Sequence, residues 1–233
     1  MILAGIQKST LIDYPDHIAA VVFTAWCNLR CGYCHNPEMV VPERIIANQS
    51  THISESIFYN FLDRRIWILD GVSICGWEPT IHRDLPDFCR AIKTRWFRVK
   101  LDTNGQNPGM ITRLIDENLV DYFAMDIKHT WERYPELVWI SIDRIKYEKS
   151  IALIMNSGKD YEFRSTIIDG VHSEDDIREM TSYIAWAQSY YLQNYRNGIT
   201  LNSLFQGSSF SQWDLEIFQG IALEKVRKCE IRS

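Results

Sequence analysis

Apolar and polar positions along the chain follow two alternating rhythms. Short runs rich in β-branched and aromatic residues read as buried strands: "IAAVVFT" (18–24), "DGVSIC" (70–75), "FRVKLDT" (97–103), "VDYFAMDIK" (120–128), "DYEFRSTII" (160–168) and "SYYLQNY" (189–195). Between them apolar residues recur every three or four positions, the spacing of one helix face. Ile57, Phe58, Phe61 and Leu62 form such a stripe over 54–65. Leu85, Phe88, Cys89 and Ile92 form the next, and Ile111, Leu114 and Ile115 a third. A helix is predicted near 143–157. Another follows Ser173-Glu174-Asp175-Asp176, a capping-box pattern in which Ser173 accepts a backbone N–H, and it buries Ile177, Met180, Ile184 and Ala187. "SQWD" (211–214) predicts the cap of a last helix, and "KVRKCEI" a short final strand.

Strand and helix alternating over the whole length predict the α/β class, with a parallel sheet wrapped by helices. About six βα units are too few for a closed eight-unit barrel and predict a partial (β/α)6 barrel of parallel strands. No linker, low-complexity tract or shift of composition divides the chain, so one domain is expected over residues 1–233. In such folds the chemistry gathers at the C-terminal ends of the strands.

Composition narrows the function classes. The chain is 46 % apolar and 24 % charged, ordinary values for a soluble globular protein. A net charge of −5 and the lack of any Lys/Arg run argue against a nucleic-acid partner. No apolar run approaches the roughly 18 residues of a membrane span. The start, "MILAGIQKSTLIDYPDH", lacks a signal-peptide pattern, so a cytoplasmic protein with reduced thiols is expected.

Three of the six cysteines fall in "TAWCNLRCGYCHNPE" (24–38). Cys31-Gly32-Tyr33-Cys34-His35 fits a haem-attachment pattern but leaves Cys27 unexplained and expects an exported protein. Cys27, Cys31, Cys34 and His35 together could form a zinc knuckle, although structural zinc sites usually tie two separated ligand pairs. The spacing C-x3-C-x2-C allows three thiolates to hold three irons of a [4Fe–4S] cube, leaving the fourth open to a cofactor. Cys75, Cys89 and Cys229 are scattered, and the expectation for each is a small buried apolar side chain.

The loop resembles the signature of radical S-adenosylmethionine (SAM) enzymes. "GIQKSTLIDYPDHIAAVVF", "CHNPE", "EPT" (78–80), "LDTNG" (101–105), "AMDIK" (124–128) and "YEFRSTI" (161–167) resemble, in order, the longer-form activating proteins of anaerobic ribonucleoside-triphosphate reductase. The resemblance implies that Cys27, Cys31 and Cys34 hold a [4Fe–4S] cluster. It also implies that Tyr33 lies beside the adenine of SAM, and that Gly76, Trp77, Glu78 and Pro79 form the edge receiving its methionine amino group. Asp102, Thr103 and Asp126 resemble residues that hold a monovalent cation in related activases. Lys128 and Arg164 resemble cofactor-facing cations, and Asn104 joins Asp102, Asp126 and Lys128 at predicted strand ends. Lys128, with the three cysteines, is the expected catalytic set. The partners implied are a glycyl-radical reductase as protein substrate and a low-potential electron donor such as flavodoxin or ferredoxin.

Three departures stand out. Trp77 occupies the second glycine of the family's Gly-Gly-Glu-Pro motif, Trp26 replaces a glycine before the first cysteine, and Cys75 replaces a serine. An indole where the backbone should approach a ligand is expected to weaken SAM binding. Two alternative functions follow: activation of another glycyl-radical enzyme, or a catalytically impaired, cluster- or metal-binding interaction protein.

Overall fold

A computed structural model describes residues 1–232 of the chain. Its centre is one eight-stranded sheet in the order of the sequence: β1 (Leu3–Thr10), β2 (Ala19–Thr24), β3 (Gly71–Gly76), β4 (Arg98–Thr103), β5 (Tyr122–Asp126), β6 (Asp160–Ile167), β7 (Tyr190–Asn194) and β8 (Cys229–Arg232). β1 pairs antiparallel with β2, and every later neighbour is parallel. β1 and β8 are not paired with each other, so the sheet curls into a partial barrel that stays open along one side.

The helices are α1 (Pro42–Ala47), α2 (Glu55–Asp63), α3 (Leu85–Lys93), α4 (Pro108–Asp116), α5 (Tyr134–Val138), α6 (Arg144–Met155), α7 (Glu174–Tyr183) and α8 (Gln212–Leu223). All seven strands read from the pattern are present within a few residues. β1 was not among them; its polar, half-exposed residues carry no buried-strand signal, and it is held by the hairpin to β2. The short helices α1 and α5 are likewise too brief to show a period. Ser173 and Ser211 each form a capping box, with Asp176 and Asp214 returning the bond to the cap amide.

The main core lies between the sheet and its helices. Phe88 of α3 is buried and stacks on Phe58 of α2 at 5.6 Å between ring centroids. Burial of one such ring stabilises the fold by roughly 1.5–3 kcal/mol. Cys89 and Cys229 are buried in this layer, as expected for small apolar side chains. Among the described residues no helix is long and apolar enough to cross a membrane.

Candidate active site

Strand alternation sends every second residue of β3–β6 toward the barrel interior. On β4 these are Lys100 and Asp102, on β5 Asp126, and on β6 Glu162 and Arg164. They form one chain of ions. Lys128 meets Asp126 at 2.9 Å, and Arg164 bridges Asp126 at 3.1 Å and Asp102 at 3.0 Å. Asp102 also pairs with the buried Lys100, and Glu162 with Arg232 of β8 at 2.8 Å. Burial would raise the pKa of Asp102, but Arg164 and Lys100 override it and hold this carboxyl well below the usual range. Burial also opposes the charge on Lys128, yet Asp126 more than compensates and keeps the ammonium protonated well above its ordinary pKa.

The cluster loop leaves the C-terminal end of β2. Its backbone is clamped from two sides: Arg30 and Gly32 amides donate to the carbonyls of Val138 and Leu137 at 3.1 Å, and the Leu201 and Asn202 amides donate to Cys34 and Gly32 carbonyls at 2.8 and 3.0 Å. Cys27, Cys31 and Cys34 are free thiols. All three line a cavity of about 170 Å³ together with Tyr33, Gly76, Trp77, Asp102, Thr103, Asn104, Asp126, Lys128 and Arg164. Burial pushes Cys27 up to about 12 and Cys31 up to about 11. These groups are thiols until a metal binds, so loading them releases protons.

Most of the expected site residues therefore converge on one cavity, with three corrections. Glu78 turns away from it. Its buried carboxylate accepts from the Thr80 amide and hydroxyl, from Thr103 Oγ1 at 2.8 Å and from the Asn104 amide at 2.6 Å. It ties the end of β3 to the end of β4 instead of facing a ligand. Asp102, Thr103 and Asp126, the three expected cation ligands, all line the cavity, but Thr103 donates to that carboxylate and the two aspartates are met by Arg164, Lys100 and Lys128, so each is already partnered by a protein group. Cys75 was expected in the apolar core but lines the cavity. It follows Ile74, which faces the helices, and strand alternation turns it inward. Lys100, Glu162 and Arg232 were missed, although "RVKLDT" and "DYEFRSTI" alternate apolar and charged residues as a two-sided strand does. Pro79 follows Glu78 in a short turn beside the site.

Gly76 shows why a glycine is needed here. Its φ is +110°, and a Cβ would lie 2.5 Å from the Thr24 amide nitrogen and carbonyl oxygen of β2. Asn104 closes the ring by donating from Nδ2 to Asn28 Oδ1 of the cluster loop at 2.8 Å.

Comparison with known families settles which of the three loop chemistries applies. The model of the radical SAM superfamily matches residues 21–184. The chain belongs to the radical SAM superfamily. A Methanocaldococcus jannaschii protein inferred to be a glycyl-radical enzyme activating enzyme is 31 % identical over 199 residues, 83 % of this chain and 80 % of that one. The pyruvate formate-lyase-activating enzyme of Clostridium pasteurianum is 29 % identical over 54 % of this chain and 51 % of its own. A solved domain of pyruvate-formate lyase-activating enzyme from Bacteroides vulgatus shares the fold, with a TM-score of 0.58 at 16 % identity over 70 % of this chain and 99 % of that one. As a radical SAM enzyme, the chain uses a [4Fe–4S] cluster and SAM. The residues present fit the cluster. Three free thiols face one cavity at a strand C-terminus.

Proposed function

We propose that this radical SAM enzyme generates a glycyl radical on anaerobic ribonucleoside-triphosphate reductase. A bound, reduced cluster would supply the one electron needed to split SAM into methionine and a 5′-deoxyadenosyl radical, and that radical would take a hydrogen atom from a glycine Cα of the partner. The chain's own part is orientation, charge and exclusion of water. Cys27, Cys31 and Cys34 hold the cluster. Lys128 and Arg164 present permanent positive charge at the cavity wall for the SAM carboxylate, and Asp126 and Asp102 fix both side chains in place. Tyr33, buried beside Lys128, offers a flat apolar surface for the adenine. Gly76 leaves backbone amide and carbonyl groups near the ligand.

The observation that carries the reading is the convergence of the cysteine loop and the ion chain on one cavity of an open-sided barrel. A glycine Cα must come within van der Waals contact of the deoxyadenosyl carbon, so a partner loop has to enter. The gap between β1 and β8 offers it a way in. The finer partner assignment rests on the order of motifs through "AMDIK" and "YEFRSTI", and a flavodoxin or ferredoxin is the class of electron donor proposed. The test mixes the anaerobically reconstituted, reduced protein with SAM and the anaerobic reductase of the same source. A glycyl radical doublet in the electron paramagnetic resonance spectrum is expected. SAM cleavage without a doublet on the reductase would overturn the partner while sparing the chemistry.

A further inference from the structure

Five successive helices, α3 to α7, each lead into a residue in the left-handed region. The residues are Trp96 (φ 69°), Asn118 (54°), Trp139 (54°), Gly158 (70°) and Trp186 (68°). Glycine and asparagine are what this turn selects, because a Cβ crowds the following carbonyl there. Tryptophan is not. The turns are fixed by backbone bonds, with the Trp96 amide donating to the Lys93 carbonyl at 2.9 Å and the Trp139 amide to the Pro135 carbonyl at 2.8 Å. Packing does little to compensate: Trp96 and Trp186 are 89 % and 76 % exposed, and Trp139, 51 % exposed, lays one edge of its indole against Gly32.

The cofactor site repeats the anomaly. Trp26, directly before Cys27, has φ 73°. Trp77 is not at positive φ, but it follows Gly76 and lines the cavity with the three cluster cysteines. The space left, about 170 Å³, is below the roughly 300–1,000 Å³ of ligand pockets. Besides the tryptophans, the non-glycine residues at positive φ are Asp16 and Asn118, two types that tolerate it. The chain has 8 tryptophans but only 11 glycines in 233 residues, where about 7 % glycine is usual. Trp131 is the contrast: it is buried, stacks on Tyr183 at 4.3 Å, and has no positive φ.

We infer that Trp26, Trp77, Trp96, Trp139 and Trp186 are glycine positions, and that the cell which makes this enzyme inserts glycine there. The triplet UGA differs from the glycine codon GGA in one base. Where UGA is decoded as glycine but written as tryptophan, glycine positions surface in the deduced sequence as indoles. Position 131, where packing uses the indole, is then a true tryptophan codon. The consequence for function is an open cofactor site, with no ring between Gly76 and the cluster cysteines.

The direct test is peptide mass mapping of the enzyme purified from the cells that encode it. Peptides spanning positions 26, 77, 96, 139 and 186 are expected to be lighter by the difference between tryptophan and glycine, and the peptide spanning 131 to keep its tryptophan. Tryptophan masses at 96, 139 and 186 would overturn the inference. A second measurement uses the recombinant chain as written. Trp96→Gly, Trp139→Gly and Trp186→Gly are each expected to raise Tm by about 2–4 °C, as relief of backbone strain does in a chain of this size. A triple variant that melts at or below the parent refutes it. At the cofactor site, Trp77→Gly is expected to tighten SAM binding at least about tenfold by calorimetry; unchanged or weaker binding counts against glycine at 77. None of these readouts depends on the identity of the reductase.

Discussion

Val99, Leu101, Phe123 and Phe163 are buried on one side of the sheet, against helices whose buried residues are mostly apolar. Lys100, Asp102, Glu162 and Arg164, on the same two outer strands of that group, face the other side and are buried as ions. The helix-facing side gains stability from every atom removed from water. The interior side gains little on balance, because desolvating ions costs about as much as their attraction returns. What the interior obtains is a charge pattern that cannot relax, aimed at the cavity beside the cysteines. A parallel barrel strand without a site reads as a continuous apolar run. Alternation in such a strand marks an interior kept for chemistry.

Cys31→Ala should test that division most strongly. Loss of iron and sulfide uptake after anaerobic reconstitution is expected, with activity falling below detection and the unfolding midpoint of the metal-free protein little changed. A variant that still holds a full cluster would remove Cys31 from the ligand set. Next in size is Arg164→Met, which strips Asp102, Asp126 and Glu162 of a shared cation. A loss of about 3–5 kcal/mol in denaturant unfolding is expected, together with loss of SAM binding. A change under about 1 kcal/mol would show that the ion chain is not coupled through Arg164.

His172 gives the interior side a pH signature. Its Nδ1 accepts the Ile168 amide at 3.1 Å, which leaves the proton on Nε2 to donate to the Lys128 carbonyl at 3.0 Å. Burial, then the neighbouring His129, lowers its pKa to about 4. The unfolded chain therefore takes up this proton near pH 6.5, before the folded one does. Stability is full above that pH and is lost as the pH falls toward 4, by up to about 1.4 kcal/mol per pH unit. Denaturant midpoints of the parent and of His172→Gln between pH 7 and 4 check this; the variant should show a shallower slope. The smallest effect is expected on the helix-facing side. Ile154→Val on α6 should cost about 0.5–1.5 kcal/mol and leave the SAM affinity unchanged. A shift in that affinity would mean that the two faces are coupled.

The sequence by itself determined the succession of strands and helices, the caps at Ser173 and Ser211, and the cysteine loop at the end of the first parallel strand. Each is written in neighbouring residues, where a period of two or of three to four, or a short-range hydrogen bond, leaves its mark. Tertiary structure alone decided what meets what. Arg164 reaches Asp102 across 62 positions of sequence, and Asn104 reaches Asn28 across 76. Register and sheet curvature brought Cys75 into the cavity and turned Glu78 out of it. β1 escaped the pattern because its strand is an edge defined by a partner instead of by burial. The same physics separates the tryptophans: composition shows their number, but only the backbone angle distinguishes Trp131, which fills a core, from Trp96, Trp139 and Trp186, which stand where a side chain costs free energy.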